Sequence, residues 1–495
     1  IRTGVELPVS FGRPVPTRVP GHSVHAPLTP LVGRKAKVAE IQARLRDPAC
    51  RLLTLVGPGG VGKTHLALQV AADTQSGGLL DYFADGVTVV HLGSLPAVEA
   101  IAPAIAQALD LPLSEGTSPQ QQAAADLSGK RLLLVMDGFE HLAAGAGLLV
   151  DLLHAAPGLK ILVTSRARLG VQVEHQFPLD GLACPARLPD DPESLASLPA
   201  VQLYLSGARR IRPSFEASAG DLLAIARICR LVDGLPLAIL LAASWAGMLT
   251  PAQVVSQIER EKSRGLDLLQ TDIQDLPARQ RSMRAVFDHS WALLAARERQ
   301  VLANLSVFRG SFALEAARQA VGASLPELRA LMDRSLLQRA AGDRYAMHQL
   351  LRQYAGERLA EAPGAARSAR DRHSTYFTAE VARWWTDLKG PKHQVALAEM
   401  GAESGNLHAA WDWAVKRRQV PQLDRAMDGL CYSLKWMGRY EEGERLCWRA
   451  AEGLAETGST SGRERVRARA LAWQGVFCHR LGRREQAREL LLRSL

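Results

Sequence analysis

The sequence predicts a multidomain α/β plus α protein: a parallel-sheet domain first, then a helical domain, a winged-helix module and C-terminal helical repeats. Three observations carry that expectation. The chain has 495 residues, too many for one hydrophobic core and enough for about three or four domains of ordinary size. Between residues 31 and 182, short apolar runs alternate with stretches of helical periodicity, the pattern of a parallel sheet covered on both faces by crossover helices. Beyond Cys184 the strand signals fade and helical periodicity takes over.

Residues 1–26 carry Pro8, Pro14, Pro16 and Pro20, with Pro27 following, and little apolar periodicity, so a proline-rich arm or linker is expected there. The sheet domain is assigned to residues 27–183. Its strands are expected at 52–56, 87–92, 132–137, 161–165 and 175–179, separated by helices at 35–46, 64–74, 98–108, 120–125 and 147–155. A helical domain over 184–275 follows, with helices at 200–210, 219–232 and 236–248, the pair Asp233-Gly234 as a break, and a further helix starting near Pro251. Residues 276–365 read as a winged helix: helices at 282–294, 296–305, 314–321 and 325–334, a strand pair around 336–339 and 345–348, then a helix at 349–359.

The remainder, 366–495, is helical throughout. Within it, residues 434–443 and 478–487 resemble each other, each with a glycine at a helix-to-helix turn (Gly438, Gly482) and a small residue five positions on (Gly443, Ala487). That places a close approach of the second helix on the first, the logic of tetratricopeptide units. The spacing of the two glycines exceeds the ~34 residues usual for that repeat, which an insert at 456–465 accounts for.

Composition narrows the function classes. A formal net charge of +10 fits an acidic or nucleic-acid partner and equally an Arg-rich proteome. No basic block interleaves with stacking aromatics, so these residues are not assigned a nucleic-acid surface. The six cysteines, Cys50, Cys184, Cys229, Cys431, Cys447 and Cys478, lie far apart in sequence without a C-x-x-C pair. They indicate a reducing cytoplasm and neither a zinc site nor a disulfide framework. The uncharged run 234–250 contains Pro236 and is short for a bilayer span, so it reads as a buried helix and no membrane partner is expected. The chain opens on Ile1 instead of Met and closes inside helical periodicity, as an excised fragment would.

The sharpest chemistry lies at Gly57-Pro58-Gly59-Gly60-Val61-Gly62-Lys63-Thr64, which meets every fixed position of G-x-x-x-x-G-K-[ST] between a strand and a helix. Glycines let backbone N–H groups close around phosphate oxygens, Lys63 reaches the β and γ phosphates, and Thr64 completes a Mg²⁺ shell. With His65, which follows, these residues form the expected ATP/ADP site. The run 130–137 is a buried strand ending in Asp137, placed to hold Mg²⁺ with Thr64. Gly138 stands where many hydrolytic relatives carry a second acid; Glu140 substitutes only if the turn swings it back. A second buried strand ends in Thr164-Ser165-Arg166, and Arg166 is the candidate γ-phosphate sensor, a surface arginine being the bland alternative. Candidate catalytic residues are therefore Lys63, Asp137, Glu140 and Arg166.

In this order of motifs the chain resembles the STAND NTPases, particularly their NB-ARC-like (AP-ATPase) branch of bacterial multidomain regulators, plant immune receptors and apoptotic scaffolds. The marks are Leu31-Val32-Gly33-Arg34, the phosphate loop, the Asp137 strand with Phe139-Glu140-His141-Leu142, Thr164-Ser165-Arg166, Gly234-Leu235-Pro236-Leu237-Ala238 and Met347-His348-Gln349-Leu350-Leu351. The resemblance implies that Val32 and Arg34 line the adenine and ribose side, that Pro236 packs on the base, and that His348 touches the β-phosphate of ADP and holds the resting state; Gly33, between the first two, is counted with the nucleotide site. Gln349 departs from the Asp that many relatives carry after that histidine. The segment 403–414 resembles the start of the sensor region of bacterial members; Trp411 and Trp413 within it read as packing residues.

The implied activity is an ADP/ATP-dependent signalling switch with slow or regulatory hydrolysis, whose exchange controls opening and self-association. The C-terminal repeats would receive an inducer, and DNA contact would come through a domain outside this chain. Two rivals stand beside it: a turnover ATPase acting on nucleic acid, and a constitutive scaffold with a structural nucleotide. The winged helix is expected to act as a clamp, since 325–334 mixes Arg329 and Arg334 with Glu327 and Asp333.

Overall fold

The computed structural model describes residues 27, 29–74, 82–93, 95, 97–111, 118–185, 192–260, 265–271, 281–455 and 461–495. The proline-rich arm therefore lies outside the described residues, as do residues 456–460 of the expected insert. The described chain divides into two compact units, one running to Gly57 and from Val61 to Asp180, the other comprising Pro58–Gly60 and Gly181–Leu495.

The first unit is a five-stranded sheet: β1 (Leu52–Val56), β2 (Val87–His91), β3 (Leu133–Asp137), β4 (Lys160–Ser165) and β5 (Glu174–Pro178). All neighbours run parallel in the order β2-β3-β4-β1-β5. Its helices are α1 (Lys35–Arg46), α2 (Lys63–Asp73), α3 (Ile101–Ala108), α4 (Pro119–Leu127) and α5 (Ala146–Ala155). The central strands are apolar along their whole length because both faces are covered: every residue of β3 and β4 is buried. One side of that core joins Leu134, Met136, Ile161 and Val163 of the sheet to Ile105, Leu149 and Phe139. Edge strand β5 buries only Phe177, which explains why its bounds sit one residue earlier than the apolar pattern suggests.

Differences from the sequence reading have local causes. The helix expected at 98–108 opens as a 3₁₀ turn, Val98–Ala100, without a side-chain cap, a tightening common at helix termini. The helix expected at 120–125 runs longer, because the Ser118 side chain accepts from the Gln121 N–H and Pro119 sits at the first helical position.

The second unit begins with α6 (Pro199–Ile211), α7 (Ala219–Leu231), α8 (Pro236–Ala243), α9 (Pro251–Arg260) and the short α10 (Gly265–Leu268). The helix expected to reach residue 248 ends at Ala243 and continues as a 3₁₀ turn over Ser244–Gly247; the Ser244 hydroxyl donates back to the Leu241 carbonyl. Next come α11 (Met283–Ala292), α12 (Ala296–Leu305), α13 (Leu314–Val321) and α14 (Leu325–Asp333), an antiparallel hairpin of β6 (Gln338–Ala340) and β7 (Arg344–Ala346), and α15 (Gln349–Ala360). Phe312 and Tyr345 exchange both backbone hydrogen bonds at 2.8 Å, adding a third extended segment to the hairpin that the sequence reading missed.

The rest is α16 (Pro363–Leu388), α17 (His393–Ala402), α18 (Ser404–Arg417), α19 (Val420–Trp436), α20 (Tyr440–Gly453), α21 (Ser461–Arg480) and α22 (Arg484–Arg493). This region is repeat-like: Gly438 and Gly482 take φ of 71° and 79° at equivalent turns, a left-handed conformation that favours glycine. Residues 461–465, read as insert, are the opening of α21. Ala487 meets Gly475 of the preceding helix, as expected. Gly443 corrects the expectation: a Cβ there would overlap the Phe477 ring, so its close neighbour is the following helix α21. The cysteines, distant in sequence, are not all distant in space, since the buried thiols of Cys431 and Cys447 lie 3.5 Å apart. Among the described residues no helix is long and apolar enough to cross a membrane.

Gly443→Ala should lower the stability of the C-terminal helices by about 1–3 kcal/mol through overpacking against Phe477. Urea denaturation followed by tryptophan fluorescence measures it; an unchanged midpoint would contradict the packing described.

Candidate nucleotide site

The glycines of the loop after β1 are there for stated reasons. A Cβ on Gly57 would collide with the Leu179 carbonyl, while Gly60 and Gly62 take φ of 80° and 93°. Gly62 caps α2, whose first turn begins at Lys63 and contains no acidic residue. The exposed N–H groups of that turn and the positive end of the helix dipole favour an anion at the loop. Val61 is buried beneath it. Within the second unit, the Leu237 N–H at the start of α8 donates to the Gly60 carbonyl at 3.2 Å.

Lys63 is buried, and its ammonium donates to the Gly57 carbonyl at 2.7 Å. Burial pushes its pKa down to about 7; Glu140 opposes the shift, Arg166 adds to it and Asp137 opposes it. A lysine so poised gains charge when a phosphate arrives.

The sheet register sets His91, Asp137 and Thr164 opposite one another on β2, β3 and β4. Asp137 accepts from the hydroxyls of Thr64 and Thr164, both at 2.7 Å, and His91 Nδ1 lies 3.6 Å from its second oxygen. Burial alone would raise the Asp137 pKa, yet hydrogen bonds from His91, Thr64 and Thr164 hold it below the usual carboxylate value. Thr164 also accepts from the Gly138 N–H at 2.9 Å, fixing the turn after β3. Thr64 and Asp137 thus present adjoining hard oxygen donors, the chemistry Mg²⁺ takes beside phosphate and water. Thr164 and His91 were not singled out from the sequence as site residues; only the register reveals them.

Gly138 occupies φ of 85°, so the position where hydrolytic relatives place an acid is a left-handed one. Glu140 follows in the 3₁₀ turn Phe139–His141 and does swing back. Its carboxylate lies 3.3 Å from Arg166 Nε in a largely buried ion pair. The candidate base and the candidate sensor therefore engage each other.

Ahead of α1, Gly33 takes φ of 67° and Val32 is half-buried. Arg34 is buried, and its guanidinium donates to the Asp180 carbonyl. Burial depresses the Arg34 pKa, with Asp180 acting in the opposite direction. His65 is lowered likewise by burial, partly offset by a hydrogen bond to the Thr29 backbone; its Nε2 is buried without a hydrogen-bond partner.

Pro236 and His348 belong to the second unit, Pro236 at the first position of α8. His348 caps α15: its Nδ1 accepts from the Leu350 N–H at 3.2 Å, and Nε2 lies 3.2 Å from the Val232 carbonyl and 3.4 Å from Asp233 Oδ2. Nδ1 as acceptor puts the proton on Nε2, which donates to Val232. Burial lowers the His348 pKa against the pull of Asp233 and the Val232 carbonyl. Gln349 contributes its backbone N–H to Asp233 Oδ2 at 2.9 Å. The carboxylate beside this histidine comes from Asp233, a residue that sequence reasoning placed only in a break between helices.

The NACHT domain family model matches residues 51–182, which include the loop, Asp137 and Arg166. A putative HTH-type transcriptional regulator of Mycobacterium tuberculosis is 33% identical over 417 residues, 80% of this chain and 43% of the relative. An uncharacterized protein of M. tuberculosis is 32% identical over 393 residues, 77% of this chain and 91% of the relative. The regulatory protein AfsR of Streptomyces griseus is 27% identical over 514 residues, 95% of this chain and 49% of the relative. The chain thus spans less than half the length of the regulators it matches.

Lys63 makes nucleotide binding pH-dependent with a definite sign. A bound phosphate raises its pKa above the free value of about 7, so ADP binding near pH 8.5, where the nucleotide is fully ionised, should take up about one proton and weaken as pH rises. Below that free value, uptake vanishes. Calorimetry in buffers of different ionisation enthalpy measures it; equal heats in all buffers near pH 8.5 would refute the assignment.

Proposed function

This chain belongs to the STAND/NACHT-like NTPases, and from that premise we propose that it is an ADP/ATP-controlled switch serving transcription regulation in a bacterium. Regulatory relatives support the regulatory role, and the family implies a bound nucleotide. The observation that carries the switch reading over a turnover enzyme is the Glu140–Arg166 ion pair. With glycine at 138 leaving no acid directly after Asp137, Glu140 is the candidate base, and it is occupied. A base held in that pair is not free to activate water, so hydrolysis is assigned as slow and regulatory, with Lys63, Thr64 and Asp137 holding phosphates and Mg²⁺.

In the second unit the clasp of His348 on Val232 and Asp233 is the element we assign to the resting state. A ligand shifts such an equilibrium only through unequal contacts with its two states. We assign His348 to the ADP-favouring side and Arg166 to the ATP-favouring side. Val32, Arg34 and Pro236 are assigned to the nucleotide by the family resemblance, and Gly33 and His65 are assigned to it as their immediate neighbours in the Leu31–Arg34 and phosphate-loop motifs. Opening would expose surfaces for self-association, and an inducer acting on α16–α22 would bias it. In domain terms we propose a P-loop domain over 27–183, a helical domain over 184–275, a winged helix over 276–365 and tetratricopeptide-like repeats over 366–495.

Direct DNA reading by α14 is disfavoured by its own charges. Arg334 pairs with Glu298 at 2.6 Å, Glu327 with Arg297 at 2.8 Å, and Arg329 lies 3.9 Å from Asp333. A solvated basic stripe is what phosphate contact requires. DNA contact is therefore assigned to parts of such regulators beyond these 495 residues.

His348→Ala removes the Val232 hydrogen bond of the clasp and should accelerate ADP release about fivefold or more, at roughly 1 kcal/mol for the bond, with increased self-association. Fluorescent-nucleotide release and light scattering read the two effects, and unchanged values in both would sink the clasp assignment. Lys63→Ala should abolish binding of ADP and ATP. Steady-state hydrolysis should stay well under the ~1 s⁻¹ at the low end for enzymes; rapid turnover stimulated by DNA would establish the rival.

A further inference from the structure

Helices α18 and α20 flank an open, solvent-facing cavity of about 360 Å³ lined by His408 and Asp412 from the first, and Arg439, Glu442, Arg445 and Arg449 at or on the second. Its floor includes the buried Leu446, whose carbonyl accepts from the Trp411 indole N–H at 3.1 Å. Three guanidinium groups meet two carboxylates here. Arg449 pairs with Asp412 at 3.0 Å, while Glu442 is shared by Arg439 at 2.5 Å and His408. Arg445 is exposed and makes no ion pair among the described residues. It stands one helical turn from Arg449, so two like charges face the same space and repel. A doubly negative ligand bridging them removes that repulsion and supplies the forked acceptor that guanidinium groups favour.

We propose that this cavity binds a small dianion, a phosphate monoester or a short dicarboxylate, as the effector of the switch. The inference rests on the reading above only for the effector's influence on nucleotide exchange; binding stands by itself. A route for that influence is built into the start of α18. Arg439 donates to the Ser404 hydroxyl at 3.1 Å, beside a buried joint. There Asn406 accepts from the Arg309 N–H at 2.7 Å and donates to the Ser311 carbonyl at 3.1 Å and to Glu403 at 2.7 Å. Glu403 in turn pairs with Arg344 of β7 at 2.6 Å. Gly405 completes the joint, since a Cβ there would come within 2.6 Å of the Arg309 carbonyl. A ligand that draws Arg439 inward therefore pulls on the residue adjoining the contact between α18 and the hairpin module.

The test uses the full chain carrying Lys63→Ala, which keeps phosphate off the nucleotide loop, titrated calorimetrically with inorganic phosphate and, separately, with succinate. At least one anion should bind, and adding Arg445→Ala should weaken it about tenfold, as loss of a charge-assisted hydrogen bond does. Arg445→Lys should recover part of the affinity. Phosphate binding alone identifies the phosphate-ester class, succinate binding alone the dicarboxylate class. No heat from either anion, or equal affinity in Arg445→Ala, would overturn the site. The anion that binds is then added to the unmutated chain preloaded with fluorescent ADP. Faster release supports the effector role; binding with unchanged release would keep the site and overturn its coupling to exchange.

Discussion

A buried carboxylate must be satisfied or it destabilises the fold around it, and Asp137 is satisfied by two hydroxyls standing on different elements. Thr64 reaches it from the first turn of α2 and Thr164 from the end of β4. Because β4 lies between β1 and β3, the phosphate loop and the acidic strand do not touch through the sheet. The pair of threonines spans that gap. Everything else in the site takes its position from this knot: the loop that precedes Thr64, the Gly138 turn anchored on Thr164, and through that turn the return of Glu140 to Arg166.

The second unit has a comparable point of convergence at the Asp233-Gly234 turn. A Cβ on Gly234 would collide with the Leu182 carbonyl, and one on Gly181 with the Asp233 carbonyl. The Leu182 N–H donates to Gly234 at 2.8 Å, and Cys184 reaches the Cys229 carbonyl. The segment just after the sheet domain therefore lies backbone to backbone against the end of α7, with His348 clasping the same turn. One backbone turn holds both the connector and the α15 cap, so the clasp cannot shift without disturbing the connector.

What the sequence made legible follows from the range of the physics involved. The strands, the phosphate loop and the repeat glycines are local: apolar runs, left-handed turns and capping signals act over a few residues. Helices α1, α12 and α13 sit where periodicity places them. Thr164 and His91 were not chosen as site residues because their role depends on strand register, which is a tertiary property. Asp233 was missed as a partner of Gln349 because 116 residues separate them. The third extended segment at Phe312 rests on one bridge, too short to leave a period of two. At Gly443 the motif was right but the partner was wrong, because a glycine reports close approach without saying from which side.

Gly138 sets a conformational condition on any acid placed directly after Asp137. A glutamate introduced there carries the roughly 1–2 kcal/mol penalty of a left-handed non-glycine residue in the very turn that Thr164 anchors, whereas aspartate, which this chain holds at positive φ at Asp110, Asp233 and Asp343, is strained less. Turn geometry thus discriminates between the two acids that could stand directly after Asp137.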